Sequence, residues 1–590
     1  MTEFIQNVGS YLIQRLYDLG VRHIFGVPGD YVLGFYQELI HSNKLKVINT
    51  CDEQGAGFAA DAYGRVNGLG VVCVTYCVGG LKVANAAAQA FAEKSPLVVI
   101  SGAPGIKERR KNPLLHHKVR DFDTQQKIFE HITIDSVLLS NSTTAVKDIN
   151  RVLSSAIRYK RPVYIELPRD IVSAPIHADQ ELSVDSPTSS NPFFENVKAG
   201  GEEGYQTDTA SIKEAISEAT TLINSSSQPV IIAGVEIHRF ALQNKLLQLI
   251  NKTNIPFVST VLSKSVISED HPSYLGVYEG AMGYQSVREY VESSDCLILL
   301  GALMTDINFG ISSTPIEQSR SIYVTSEKLS IKHHIFENIL LQDFLNCLIL
   351  APLARRDFVN IGKHNDVQSS YYNSNNNSRY NNIHNNIHNN KHFSAEKNRK
   401  ITVQRLFQCL NLSITDNTIV IADVGDSLFG ALDLTIHGQT DFISPAYYLS
   451  MGFAVPAAMG AQLANPKLRP IVIVGDGAFQ MTGMEVSTIV RFNLNPIIIV
   501  LNNKGYRTER PMLDGPFNDI LPWNYSQIPD TIGGHGKGFV IETEDQLEES
   551  LSAVEKFYSQ ELCVLDVHLE IHDGSQALQR LTEALGKKVH

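Results

Sequence analysis

The chain has 590 residues, 43% of them hydrophobic, and a formal net charge of −12 at pH 7. That length exceeds what a single hydrophobic core serves and predicts three or four domains. The acidic balance, with no clustered Lys and Arg, excludes the electrostatic footprint of a nucleic-acid or anionic-membrane binder. Seven scattered cysteines, Cys51, Cys73, Cys77, Cys296, Cys347, Cys409 and Cys563, lack metal-ligand spacing and read as reduced thiols of a cytoplasmic protein. No apolar stretch approaches bilayer length, and no positively charged start with an apolar run precedes Val8, so a soluble intracellular chain is expected.

Val8, Leu12, Leu16 and Leu19 recur at helical spacing up to Gly20, and Val21 to Phe25 reads as a short strand ending in Gly26-Val27-Pro28-Gly29-Asp30. Asp30 thus falls on a loop at a strand's carboxyl end. Cys51-Asp52-Glu53-Gln54-Gly55-Ala56-Gly57 is a second strand end, running into a helix of small residues. Glu53 there reads either as an N-terminal helix charge or as a carboxyl aimed at a ligand. Further strands are predicted near Val71 to Tyr76, Leu97 to Ser101 and Val163 to Leu167. Lys107-Glu108-Arg109-Arg110-Lys111, a basic run broken by acid, reads as a solvated loop just before the adjacent His116 and His117. Taken alone, such a histidine pair is as readily a loop accident as a proton-carrying pair.

The polar stretch 178–208 reads as a linker. A second block then shows strands at Pro229 to Ala233, Pro256 to Ser259, Cys296 to Leu300 and Ile322 to Thr325. Neither Ile231-Ile232-Ala233-Gly234-Val235-Glu236 nor Gly26-Val27-Pro28-Gly29-Asp30 fits a dinucleotide loop, which argues against a flavin or nicotinamide cofactor. Residues 365–398, rich in Asn, Ser, Tyr and His, cannot bury enough apolar surface to offset chain ordering and are expected to be disordered. His384, His388 and His392 recur every four residues there and would gather a metal only on a helix, which so many Asn disfavour.

The third block begins near Ile401, with strands at Thr418 to Ala422, Ile471 to Val474, Pro496 to Leu501 and Val564 to His568. Apolar runs of this length alternating with helical patterns predict an α/β chain of three doubly wound parallel sheets. Gly475-Asp476-Gly477 closes the strand at Ile471, Ala478 leads towards a helix expected over Met481 to Arg491, and Asn502-Asn503-Lys504-Gly505-Tyr506 closes the next strand. A glycine-flanked Asp lets backbone N–H groups approach phosphate oxygens and offers a hard oxygen to a divalent cation, and Asn503 offers a second. Gly-Asp-Gly alone would be an ordinary tight turn; two such strand ends together point to a diphosphate and metal site.

This spacing resembles the thiamine diphosphate signature. With Asp30, His116-His117 and Glu509 it resembles the pyruvate decarboxylase and indolepyruvate or phenylpyruvate decarboxylase branch of that family, over essentially the whole chain. The resemblance implies a pyrimidine-binding domain (1–177), a linker (178–208), a middle domain (209–355), an Asn-rich linker (356–398) and a diphosphate-binding domain (399–590). It implies Mg²⁺ on Asp476, Asn503 and the Gly505 carbonyl, the diphosphate along Gly477 and Ala478, and Glu53 on the pyrimidine ring. Met451 would hold the cofactor bent, and carbonyls near Asp426 and Leu449 would orient its amino group; an ordinary core methionine is the bland alternative for Met451. Asp30, His116, His117 and Glu509 would carry protons around the reacting carbon. The implied reaction is loss of CO₂ from a 2-oxo acid to give an aldehyde, in a homodimer at least and commonly a homotetramer. Thr508 and Met512 match positions lining the substrate pocket in relatives, and Thr508 is smaller than the isoleucine usual in strict pyruvate enzymes. That favours a bulky or aromatic substrate, with pyruvate as the alternative and a carboligating synthase of the acetolactate type as the lesser one. A cysteine between Val230 and Lys245, on which some relatives rely for substrate activation, is absent.

Overall fold

The computed structural model describes residues 6–176, 207–309, 317–357, 393–438 and 442–589. Most of the expected linker 178–208, and residues 358–392 of the Asn-rich stretch with His384, His388 and His392, lie outside them.

Three sheets organise these residues. The first holds β1 (His23–Gly26), β2 (Lys46–Asn49), β3 (Gly70–Val74), β4 (Leu97–Ala103), β5 (Asp135–Leu138) and β6 (Val163–Pro168), all parallel, in the order β2-β1-β3-β4-β6-β5. The second holds β7 (Pro229–Ala233), β8 (Phe257–Ser259), β9 (Tyr274–Val277), β10 (Cys296–Leu300), β11 (Ser321–Val324), β12 (Leu329–Ile331) and β13 (His334–Phe336), in the order β13-β12-β11-β10-β7-β8-β9. The third holds β14 (Thr418–Ala422), β15 (Phe442–Ile443), β16 (Arg469–Gly475), β17 (Ile497–Asn502), β18 (Gly536–Ile541) and β19 (Leu562–His568), again all parallel, in the order β15-β14-β16-β17-β19-β18. Every residue of β3, β4, β6, β7, β10 and β14 is buried, as expected of strands covered on both faces.

The second sheet departs from the expected all-parallel pattern, because β12 and β13 run antiparallel. Only two residues, Lys332 and His333, separate them, too few for a parallel crossover, and Lys332 takes the left-handed φ of +53° that a tight hairpin turn needs.

The first and third sheets share one strand order, so each presents the carboxyl ends of its first four strands along one edge. In each, the helix after the second strand in sequence is rich in small residues. These helices, α1 (Glu53–Asn67) and α2 (Ala454–Ala464), pack on each other, and one hydrophobic cluster runs through both domains from Phe25 and Ala59 to Ala458 and Val472. Contact is backbone to backbone: a Cβ on Gly460 would lie 1.9 Å from the Ala59 carbonyl oxygen. Phe453, just before α2, meets Phe58 edge-on at 5.6 Å and lies 5.2 Å from the Arg65 guanidinium, near the end of α1. Arg65 also pairs with buried Asp61 and Glu93 at 2.8 Å each, and Glu93 accepts the Tyr447 and Tyr448 N–H groups.

Because no side chain fits at that crossing, Gly460→Val should force the helices apart at a cost of about 1–3 kcal/mol. A lowered melting temperature is expected, whereas Gly34→Ala, whose Cβ would meet nothing closer than 3.9 Å, should leave it unchanged.

Candidate active site at the carboxyl edges of the sheets

Helix α3 (Asp476–Thr482) begins at Asp476 itself, five residues earlier than the helix expected from Met481, and a 3₁₀ turn at Gly483–Glu485 separates it from Val486–Arg491. The helix starts where β16 ends, with Gly475 as its N-cap, and Asp476, its first residue, accepts the Gly477 N–H at 2.8 Å. Its other oxygen accepts the Gly505 N–H at 3.1 Å, across from the neighbouring strand end, where Gly475 and Leu501 are in register. Asp476 is 1% exposed, and burial pushes its pKa up to about 6. Among the described residues no Lys or Arg ion-pairs with it. Beside it, the buried Oδ1 of Asn503 has no hydrogen-bond partner, while the preceding Asn502 is tied to Asp566 through its Nδ2 at 2.8 Å.

A buried carboxylate without a counter-charge next to an orphaned amide oxygen is the donor set of a hard cation. The backbone around it leaves room for a ligand. A Cβ on Gly475 would meet nothing within 4 Å, while one on Gly477 would strike the Tyr506 ring, and Gly505, at φ +150°, is pressed against Asn518. Ala478 lies buried in the first turn of α3. The residues present therefore fit a divalent cation held with a diphosphate.

The strand ends to either side complete this edge. Asp423, just after β14, is fully buried and accepts N–H groups from Val424, Gly452 and Ala454, so it pins the loop that carries Leu449 and Met451. Its burial raises its pKa to about 6. Leu449 adopts φ +60°, a costly conformation for a non-glycine that re-aims its carbonyl. Met451 is half-buried and packs against the shared core. Asp426 follows Gly425, at φ +75°; its Oδ1 accepts the Ser575 N–H and hydroxyl at 3.0 and 2.6 Å, while its buried Oδ2 has no hydrogen-bond partner.

On the first sheet, Asp30, His116 and His117 come together. His116 Nε2 lies 2.8 Å from Asp30 Oδ2, the two histidine rings meet at 74° with centroids 4.8 Å apart, and His117 adopts φ +66°. Tyr31 stacks on His116 at 4.6 Å with its hydroxyl 3.3 Å from Nδ1, and Arg169 comes within 3.8 Å of Asp30. Glu53 opens α1 and pairs with Lys82 at 2.8 Å, while Asp52 caps the helix by accepting the Gln54 N–H. Glu509 is exposed on a turn after β17. Among the described residues no hydrogen bond or ion pair joins Glu53 or the Asp30–histidine group to Asp476, Asn503 or Glu509.

The chain matches the thiamine pyrophosphate enzyme N-terminal binding domain over residues 6–128, the central domain over 216–345 and the C-terminal binding domain over 423–567. It is 32% identical to an indole-3-pyruvate decarboxylase of Azospirillum brasilense over 89% of each chain. It is 30% identical to a probable pyruvate decarboxylase of Schizosaccharomyces pombe, covering 97% of this chain and 94% of that one. An alpha-keto-acid decarboxylase of Mycobacterium leprae is 30% identical, over 95% of this chain and 92% of the relative. The chain belongs to the thiamine diphosphate-dependent 2-oxo acid decarboxylases.

In this decarboxylase several supporting residues were invisible as motifs. Tyr31 and Lys82 gain meaning only from their neighbours in space. Glu485, 1% exposed, accepts the Cys51 and Asp52 N–H groups and so holds the turn ahead of Glu53 from the other domain. Asp423 had a usable signal, an acid closing an apolar strand in the same manner as Asp476. Asp423→Ala should unlatch the 449–453 loop and lower stability by about 1–3 kcal/mol. A thermal melt should also show a smaller rise in melting temperature on adding thiamine diphosphate with Mg²⁺ than the parent shows.

Proposed function

We propose that the chain converts a bulky or aromatic 2-oxo acid to an aldehyde and CO₂ without oxidation, in a site shared by two subunits and completed by Mg²⁺. The observation that carries this is the pair of buried oxygens on Asp476 and Asn503, set beside the open space at Gly475 at the carboxyl edge of a parallel sheet. Asp476, Asn503 and the Gly505 carbonyl hold the cation, and the backbone from Gly475 to Ala478 takes the diphosphate. When bound, thiamine diphosphate supplies the nucleophilic carbon and the ring that accepts the electron pair left by departing CO₂. Glu53 holds the pyrimidine ring by a hydrogen bond, the Leu449 carbonyl and the Asp426 backbone orient its amino group, and Met451 presses the cofactor into a bent shape. Asp30, His116 and His117 form a chain of proton carriers, and Glu509 faces the substrate carboxylate. A placed acid or base of this sort contributes about 10² to 10⁴ in rate.

The shared site rests on the contacts within one chain: Glu53 pairs with Lys82, and among the described residues no hydrogen bond or ion pair joins it to Asp476 or Asn503. A second copy of the chain brings Glu53 to the cofactor edge, so a homodimer is the minimal unit and a homotetramer, a dimer of dimers, the further assembly. Seven free thiols, five of them buried, favour a cytoplasmic setting; among the described residues no helix is long and apolar enough to cross a membrane.

Substrate breadth rests on Thr508, whose Oγ1 lies 2.6 Å from where a Cβ on Gly425 would stand, so that its size sets the room above the 425–426 turn. The indole-3-pyruvate relative agrees with a roomy pocket, and the S. pombe relative favours pyruvate as the second reading.

Reconstituted protein should release aldehyde from phenylpyruvate or indolepyruvate with kcat/KM roughly tenfold or more above pyruvate, and Thr508→Ile should reverse that order. Acetolactate in place of aldehyde from pyruvate would overturn the decarboxylase assignment. Glu53→Gln and Asp476→Ala should each be inactive alone. Exchanging subunits between them should restore about a quarter of parental activity, since half of randomly paired dimers then hold one intact site. No recovery after verified exchange would place the whole site in one chain.

A further inference from the structure

We infer that Asp30, His116 and His117 form a binding site for one borderline divalent cation of the Zn²⁺ type, distinct from the oxygen-lined Asp476 and Asn503 site, and that its occupancy stops turnover. The three side chains each offer a ligand atom, and these atoms all lie within 4.8 Å of one another. Zinc holds nitrogen and oxygen ligands at about 2.0–2.2 Å, which puts pairs of tetrahedral ligands about 3.4 Å apart. His116 Nε2 and Asp30 Oδ2, at 2.8 Å, are already inside that spacing, so closure needs a shift of roughly 1 Å, chiefly by His117. The side chains can make that shift and solvent ions can reach them, since His116 is 56% and Asp30 43% exposed.

Two features go beyond what a plain His–Asp pair requires. Tyr31 stacks beneath His116 and sets its hydroxyl at Nδ1, which leaves Nε2 facing Asp30; a second contact that fixes the ring in this manner is what metal-binding histidines regularly have. The left-handed backbone at His117 turns its ring across the face of His116, so that two imidazoles and one carboxylate converge. Arg169 is the competing cation at 3.8 Å, but its guanidinium is committed to Glu108, with Nε at 2.9 Å. Two nitrogens and one carboxylate oxygen suit zinc, copper or nickel, whereas magnesium prefers an all-oxygen set. Binding therefore stands independently of the proposed function. Inhibition rests on it, because a bound cation would occupy the lone pairs that the three residues need as proton carriers.

The test uses untagged protein loaded with thiamine diphosphate and excess Mg²⁺. Zn²⁺ is titrated against a zinc-selective chromophoric chelator, and Co²⁺ against its visible bands. One cation per chain is expected at this site, with affinity weakened roughly tenfold or more in His116→Ala and in His117→Ala. Zinc held elsewhere, including by histidines of the Asn-rich stretch, would survive both substitutions. Cys51→Ser, which removes the exposed thiol, should bind as the parent does. Unchanged affinity in both histidine variants, or loss in Cys51→Ser, would overturn the site and leave the proposed function untouched. Aldehyde release should fall in step with occupancy and return when the chelator withdraws Zn²⁺ with Mg²⁺ still present. Full activity at full occupancy would instead overturn the inhibition, and with it the placement of these three residues at the reacting centre.

Discussion

A negative charge buried without a partner is the constraint from which the active edge of this protein follows. Asp476 sits at the end of β16 with almost no exposure, satisfied in part by two backbone N–H groups and facing no basic side chain among the described residues. Burying an ionised carboxylate is expensive unless a cation or a proton neutralises it, and its pKa, raised to about 6, expresses that cost. The orphaned Asn503 oxygen beside it says the same in hydrogen-bonding terms. A fold that keeps both groups unpaired gives up stability locally and keeps a place whose chemistry fits a hard cation.

The scaffold that holds this edge is a duplication in shape if not in residues. The first and third sheets share one strand order, and each sends a helix of small residues from its second strand onto its counterpart. Small residues allow the backbones to touch, as the Ala59–Gly460 approach shows. Glu485 shows the economy of the contact: a carboxylate of one domain caps the turn that presents Glu53 in the other.

Much of this was legible from short-range signals. Apolar runs bounded by glycine located nearly every strand that carries a candidate residue, because a strand buried on both faces must be apolar at every position. The antiparallel β12–β13 hairpin escaped, since its strands are three residues each and leave no periodicity to read. The start of α3 was placed late, because apolar spacing begins at Met481 while the helix opens on the polar and small residues that follow Gly475.

The sequence by itself determined the family, the strand ends and the residue types that meet cofactor chemistry, because these depend on local pattern and on fixed spacing along the chain. Only the tertiary structure decided which groups are neighbours. Asp30 and His116 are 86 positions apart, and their contact and the Tyr31 stack depend on how the first sheet orders its strands, while the hold of Glu485 on the Cys51–Asp52 turn depends on how two domains pack. Those are long-range packing outcomes, in which the burial and the partner of a side chain are set by residues hundreds of positions away.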